Sequence, residues 1–203
     1  GRGKKYFIST YGCQANERDS ETLAGILDEL GFAPNETAEG RDVIIINTCA
    51  IRQNAEEKVL GEIGNFKRLY RENKDLVIGV CGCMAQEEGL VETLLTKYPQ
   101  VRLLFGTHNI QELPSMLYSC MVEGKKVVKI YSKEGEVYEN LPVHRFGTFK
   151  AWVNIMYGCD KFCTYCIVPY TRGKQRSRKM SEILKEVQQL KEEGYKEITL
   201  LGQ

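Results

Sequence analysis

No stretch of the 203 residues approaches the ~18 consecutive apolar residues that a membrane span requires. After the basic start Gly1 to Lys5, the apolar run Tyr6 to Ile8 is too short for the core of a signal peptide. Internal repeats and low-complexity tracts are missing too, and 42% hydrophobic residues can supply a core, so disorder is not expected. Nor is there an excess of charge of one sign: 28 Lys plus Arg against 27 Asp plus Glu leave a formal charge of +1. That balance neither demands nor excludes a nucleic-acid partner, and any basic footprint must be local. These absences lead us to expect a soluble, cytoplasmic chain with no membrane partner, organised as one large domain or two modest ones.

Cysteine, by contrast, is abundant. Eight cysteines stand at positions 13, 49, 81, 83, 120, 159, 163 and 166. In a secreted chain they would imply disulfides, but disulfide scaffolds are usually shorter and rich in loops. Here regular patterns run throughout, which favours metal binding or catalysis.

Those patterns alternate. Tyr6 to Thr10 reads as a strand, followed by a helix with Leu23, Ile26, Leu27 and Leu30 on one face and Gly31 closing it. Val43 to Asn47 is continuously apolar, as in a strand covered on both faces. A helix follows, with Asn54 as its N-cap, Glu57 three residues on, and Val59, Leu60, Ile63, Phe66 and Tyr70 inward. Strands at Leu76 to Val80 and Val101 to Phe105 are each followed by a helix, Glu87 to Lys97 and Asn109 to Val122, and Lys126 to Tyr131 adds a last strand. Strand and helix alternating in this way predict an α/β domain over residues 1–131, a parallel sheet with helices on both faces. Residues 132–149, polar and interrupted by Gly135, Pro142 and Gly147, read as a linker. From 150 a second βαβ unit begins: a strand at Ala151 to Met156, a cysteine-rich loop, a helix at Ser181 to Glu193 and a strand at Glu197 to Leu201. One βαβ unit cannot bury both faces of a sheet, so residues 150–203 read as the start of an incomplete second domain.

The densest chemical signal is Cys159, Cys163 and Cys166, a C-x3-C-x2-C run with Tyr165 before its last cysteine. It lies beyond the carboxyl end of a strand, where parallel α/β folds carry their sites. Three thiolates on one short loop can hold three irons of a 4Fe-4S cluster and leave the fourth iron open. A structural zinc would need a fourth ligand from a distant residue. A second set is dispersed: Cys13, Cys49 and the pair Cys81 and Cys83 follow three successive strands, whose carboxyl ends lie on one edge roughly 5 Å apart per strand. Cys83 is preferred to Cys81 as the third ligand because Gly82 frees the loop to turn it inward, though Cys81 stays open as an alternative. Cys120, among Met116, Leu117 and Met121, reads as packing. His108 can reach the same edge as a fourth ligand, although a hydrogen-bonding role is the more common outcome. Arg172, Lys174, Arg176, Arg178 and Lys179 form a basic stretch that is either a solvated face or a contact to a carboxylate or to phosphates.

With both sets placed, the chain resembles the radical S-adenosylmethionine methylthiotransferases along its whole length. The segments that carry the resemblance are Tyr11 to Asn16, Asn47 to Arg52, Gly79 to Ala85, Phe105 to Asn109, Tyr157 to Arg172 and Leu201 to Gln203. Their order is far more specific than one C-x3-C-x2-C, and within the family they look like the branch acting on tRNA. The resemblance implies two 4Fe-4S clusters. One sits on Cys159, Cys163 and Cys166 and binds S-adenosylmethionine, with Tyr165 and Arg172 nearby, and an auxiliary one sits on Cys13, Cys49 and Cys83. It implies a tRNA substrate, methylthiolated at C2 of an isopentenylated adenosine beside the anticodon, and an electron donor such as flavodoxin or ferredoxin. Sister branches act instead on threonylcarbamoyl-adenosine or on an aspartate of a ribosomal protein; a zinc-stabilised binding module is the non-enzymatic alternative. Ala15 stands where these proteins often carry Met, and Cys81 where they often carry Gly. The family's second domain is a partial (β/α)6 barrel followed by a small RNA-binding domain. Only the first unit of that barrel is expected here, so this stretch alone is not expected to turn over.

Overall fold

The computed structural model describes residues 1–50, 53–131 and 136–202. Ile51 and Arg52 of the second motif, residues 132–135 of the expected linker, Gln203 and the side chain of Asn54 lie outside the described residues. Among the described residues no helix is long and apolar enough to cross a membrane.

Six parallel strands make the first sheet: β1 (Lys5–Thr10), β2 (Ala33–Pro34), β3 (Val43–Thr48), β4 (Val77–Gly82), β5 (Val101–Phe105) and β6 (Val127–Lys129), in the order β2-β1-β3-β4-β5-β6. The expected α/β class is therefore observed. Four helices cover the two faces: α1 (Gln14–Glu29), α2 (Gln53–Glu72), α3 (Glu88–Lys97) and α4 (Leu113–Met121). The period-2 alternation of a strand decides which side chain meets which layer. Val43 and Ile45 of β3 pack with Leu23, Leu27, Met116 and Leu117, while Ile44 and Ile46 pack with Val59, Ile63 and Leu94. Ile44, Ile45 and Ile46 have no exposed surface, and at about 1.5–3 kcal/mol for each buried side chain β3 anchors the sheet.

Some boundaries differ from the sequence reading. The last helix of this unit begins at Leu113, after a single 3₁₀ turn at Ile110–Glu112, because Pro114 lacks an N–H and fits only a first helical turn. The two-residue strand β2 has no pattern of its own, and only pairing with β1 creates it.

A second sheet follows, in the order β8-β7-β9, from β7 (Lys150–Tyr157), β8 (Arg176–Ser177) and β9 (Glu197–Gly202); α5 (Val168–Thr171) and α6 (Met180–Glu192) lie between them. The helix α6 covers one side, its Leu190 packing with Ala151 and Val153 of β7. The helix α1 packs against β7 from the direction of the first sheet. Sandwiched in this way, α1 is buried from Ala15 to Leu27 except at Glu17, including the polar side chains of Asn16, Arg18, Asp19, Ser20, Glu21 and Thr22.

Residues 136–149, expected as part of a linker, hold no strand or helix, yet they are pinned along α1. His144 N–H donates to Glu21 O at 2.9 Å, and its ring Nδ1 lies 2.5 Å from Asp28 Oδ2. Gly25 makes this close approach possible, since a Cβ there would lie 2.5 Å from the Pro142 backbone.

Candidate functional site

The carboxyl ends of β1, β3 and β4 share one edge, and each leads directly into a cysteine of the first set. Cys13 is the N-cap residue of α1. Between it and β1, Gly12 has φ +119, and a Cβ there would lie 2.4 Å from Cys49 Cβ and 2.8 Å from Cys49 Sγ. The loop of Cys13 is therefore in contact with the side chain of Cys49, which follows β3. Gly82 ends β4 at φ +94, where a Cβ would lie 2.3 Å from Thr48 O, and Cys83 begins a 3₁₀ turn that runs to Gln86. Two glycines in the left-handed region thus bring the loop of Cys13 against Cys49 and the residue before Cys83 against Thr48.

Buried amides hold this edge together. Asn16 Oδ1 lies 3.4 Å from both the N–H and the Sγ of Cys13, while Asn16 Nδ2 donates to Thr48 O at 2.9 Å. Asn47 Nδ2 donates in turn to Asn16 O at 2.8 Å and to Ser20 Oγ at 2.9 Å. Each amide would cost about 1–3 kcal/mol if buried without partners. Both residues stand inside the motifs of the sequence without an assigned role; for Asn47 the signal was a polar side chain at the end of an otherwise apolar strand.

Cys81 is not part of this edge. The strand β4 runs on to Gly82, so Cys81 pairs opposite Asn47 within the sheet and its side chain joins the core on the α1 side, with Leu103 and Val127. Burial pushes its thiol well above the usual range. Cys120 is likewise packed in that core, and burial raises its thiol too.

The second set lies on the loop after β7. Gly158 has φ +71 and sits where a Cβ would lie 2.2 Å from Lys174 O, so the two arms of the loop are in contact. Cys159 N–H donates to Gly173 O at 3.0 Å, Cys166 N–H to Cys163 O at 2.9 Å, and Gln175 N–H to Asp160 Oδ1 at 3.0 Å. Cys163 is exposed and its two companions half-buried. Tyr165 is 90% exposed, while Phe162 and Tyr170 meet edge to face at 5.8 Å. Among the described residues no three His, Cys, Asp or Glu side chains are close enough to hold a single ion. A cubane asks for something different, one thiolate on each of three irons at separate corners. Three cysteines on adjoining strand ends, and three on one looped segment, both offer that donor set.

Arg172 makes a carboxylate contact, one of the outcomes open to the basic stretch, with a partner inside the chain. It is 6% exposed, and Nη2 donates to Asp19 Oδ2 on α1 at 2.9 Å. Burial works against its charge, but Asp19, Cys83 and Cys13 hold it above the ordinary arginine range. Arg178 is also turned inward, with ion pairs to Glu139 at 2.7 Å and Glu186 at 2.6 Å. The basic stretch is therefore in good part internal, although Lys174 and Lys179 are exposed. His108 lines a small cavity with Asp19, Tyr157 and Arg172.

Gly12→Ala in the full-length protein should cost about 1–3 kcal/mol of local strain and displace Cys49. Iron and acid-labile sulfide per chain should then fall to about half of wild type; unchanged iron would show that Gly12 does not set the spacing.

Residues 5–106 match the family described as "Uncharacterized protein family UPF0004", and residues 153–203 match the radical SAM superfamily. Two similar relatives are both named tRNA-2-methylthio-N(6)-dimethylallyladenosine synthase. One, from Bacillus pumilus (strain SAFR-032), is 60% identical over all 203 residues, which cover 40% of its length. The other, from Geobacillus thermodenitrificans (strain NG80-2), is 60% identical over the same residues, 39% of its length. The chain thus spans about two fifths of the curated relatives it matches.

Proposed function

We propose, for a chain that belongs to the UPF0004 family and runs into a radical SAM superfamily domain, that the whole protein is a tRNA methylthiotransferase acting at C2 of N(6)-isopentenyladenosine beside the anticodon. The observation that carries this reading is the junction at α1. The helix whose N-cap is Cys13 is also the helix against which β7 packs, and α5, which follows Cys166, packs on the 3₁₀ turn that begins with Cys83. Identity of 60% over the full chain with synthases of that name points to the same substrate.

In this reading residues 1–131 form one domain, 132–149 the strap joining it to the next, and 150–203 the beginning of a radical SAM barrel. Cys159, Cys163 and Cys166 would hold one 4Fe-4S cluster, and Cys13, Cys49 and Cys83 another. When bound, the clusters and S-adenosylmethionine supply hydrogen abstraction from an unactivated carbon and the sulfur, which ordinary acid-base side chains cannot do. The chain supplies position. Gly158 and the Asp160 contact hold the second loop folded, and exposed Tyr165 is available to a planar ligand. Gly12 and Gly82 set the first loop against Cys49 and Thr48. The electron donor would be a flavodoxin or ferredoxin, and the setting the cytoplasm, where tRNA is modified.

Deleting the full-length gene should remove 2-methylthio-N(6)-isopentenyladenosine from bulk tRNA and leave N(6)-isopentenyladenosine in its place, with the wild-type gene restoring the product. Loss of a methylthiolated threonylcarbamoyl-adenosine instead, or tRNA unchanged, would assign the protein to a sister branch.

A further inference from the structure

We propose that Arg172, though carried by the loop of the second cysteine set, is a positioning residue of the first: a fixed positive charge beside Cys13 and Cys83 that favours the more reduced state of the group those thiolates hold. The inference rests on the auxiliary cluster proposed above.

Its geometry is that of a built contact. The short helix α5, which ends at Thr171, packs on the 3₁₀ turn that begins with Cys83. Thr107 Oγ1, beyond β5 on the same sheet edge, donates to Thr171 O at 3.0 Å. Arg172 N–H closes α5 on Val168 O at 2.8 Å. The backbone that presents Arg172 is therefore anchored to the edge that carries Cys83.

From there the side chain enters the junction, and Asp19 fixes its guanidinium from α1, six residues beyond Cys13. Beyond Asp19, Cys83 and Cys13 on this edge lie close enough to act on the charge of Arg172, and each would be a thiolate once it held iron. A lone Arg–Asp pair could be replaced by apolar side chains at little cost. A pair set beside metal-bound thiolates does more. A cluster gains negative charge when it is reduced, so a neighbouring fixed cation stabilises the reduced form, and a neighbouring anion such as Asp19 opposes it. Arg172 therefore ties the two loops mechanically and sets the field at one of them.

The test uses the full-length protein carrying Cys159→Ala, Cys163→Ala and Cys166→Ala, so that only the auxiliary cluster remains, followed by EPR-monitored redox titration. Arg172→Met should lower the reduced-to-oxidised ratio at a fixed ambient potential by at least about tenfold, equivalent to 59 mV for one electron. Arg172→Lys should recover part of that loss, and Asp19→Asn should raise the ratio. If Arg172→Met does not retain its iron, Asp19→Asn decides the matter, since a ratio that does not rise overturns the inference. Full iron with an unmoved potential in both variants also overturns it. Absence of iron and acid-labile sulfide from the triple-alanine parent would instead remove the proposed cluster, and the role of Arg172 with it.

Discussion

Replacing Cys13, Cys49 and Cys83 together by Ala in the full-length protein is expected to halve its iron, from about eight atoms per chain to about four. It should leave S-adenosylmethionine cleavage in place and reduce methylthiolated tRNA to background. The mirror experiment, Cys159→Ala with Cys163→Ala and Cys166→Ala, should also halve the iron but abolish cleavage itself. The two outcomes differ because the sets belong to different sheets and different loops. Local folding should survive both. Cys49 and Cys83 are buried, but losing a sulfur leaves a void of about methyl size, worth about 1 kcal/mol each. Cys81→Ala is the control: its side chain lies among Leu103 and Val127 in the core, so iron should stay at the wild-type level. Iron lost with Cys81 rather than with Cys83 would reverse the assignment of the third ligand.

The second large effect is expected at Glu186 on α6. Its Oε1 accepts from Arg18 of α1 at 3.2 Å and from Arg145 of the strap at 2.7 Å, while Oε2 accepts from Arg178 at 2.6 Å. Three segments distant in sequence meet on one carboxylate. Buried ion pairs are weak evidence of stability as such, but deleting one partner and leaving the others buried costs about 3–5 kcal/mol. Glu186→Ala should therefore lose a large share of a total that is typically about 5–15 kcal/mol. Glu21 and Glu139 still pair with Arg145 and Arg178, which keeps the loss toward the lower figure. Thermal unfolding and proteolysis of the strap would report it; a melting temperature within a degree of wild type would show the network to be dispensable.

The same carboxylate makes stability depend on pH. Burial works against its ionised form, but Arg18, Arg178 and Arg145 outweigh that and hold its pKa below the usual glutamate range. A carboxylate lowered in the folded state contributes stability that is fully present above its unfolded pKa, about 4.3, and lost as pH falls through the lower folded value. Acid should therefore destabilise the wild type below about pH 4 more steeply than Glu186→Gln, which has no such proton to take up. Equal slopes would remove Glu186 from the account.

Much of this molecule is determined locally. Continuous apolar runs such as Val43–Ile46, helices of period 3.6 and glycines at their ends define a parallel α/β sheet before any contact is known, since periodicity and burial are properties of short segments. The order of the strands then brings Cys13, Cys49 and Cys83 to one edge, because parallel strands share a carboxyl side. Tertiary structure alone decided the rest. Cys81 and Cys83 are both close enough in sequence to serve, and they separate only because β4 continues to Gly82 and turns the first into the core. Residues 136–149 carry no period, so their place along α1 comes from ion pairs and from the missing Cβ of Gly25. For Arg172 and Arg178 the sequence leaves a solvated face and a carboxylate contact both open, because the partners Asp19 and Glu139 lie 153 and 39 residues away. A charge advertises itself in the sequence, but whether it faces water or a buried counter-charge is settled only when separate segments meet.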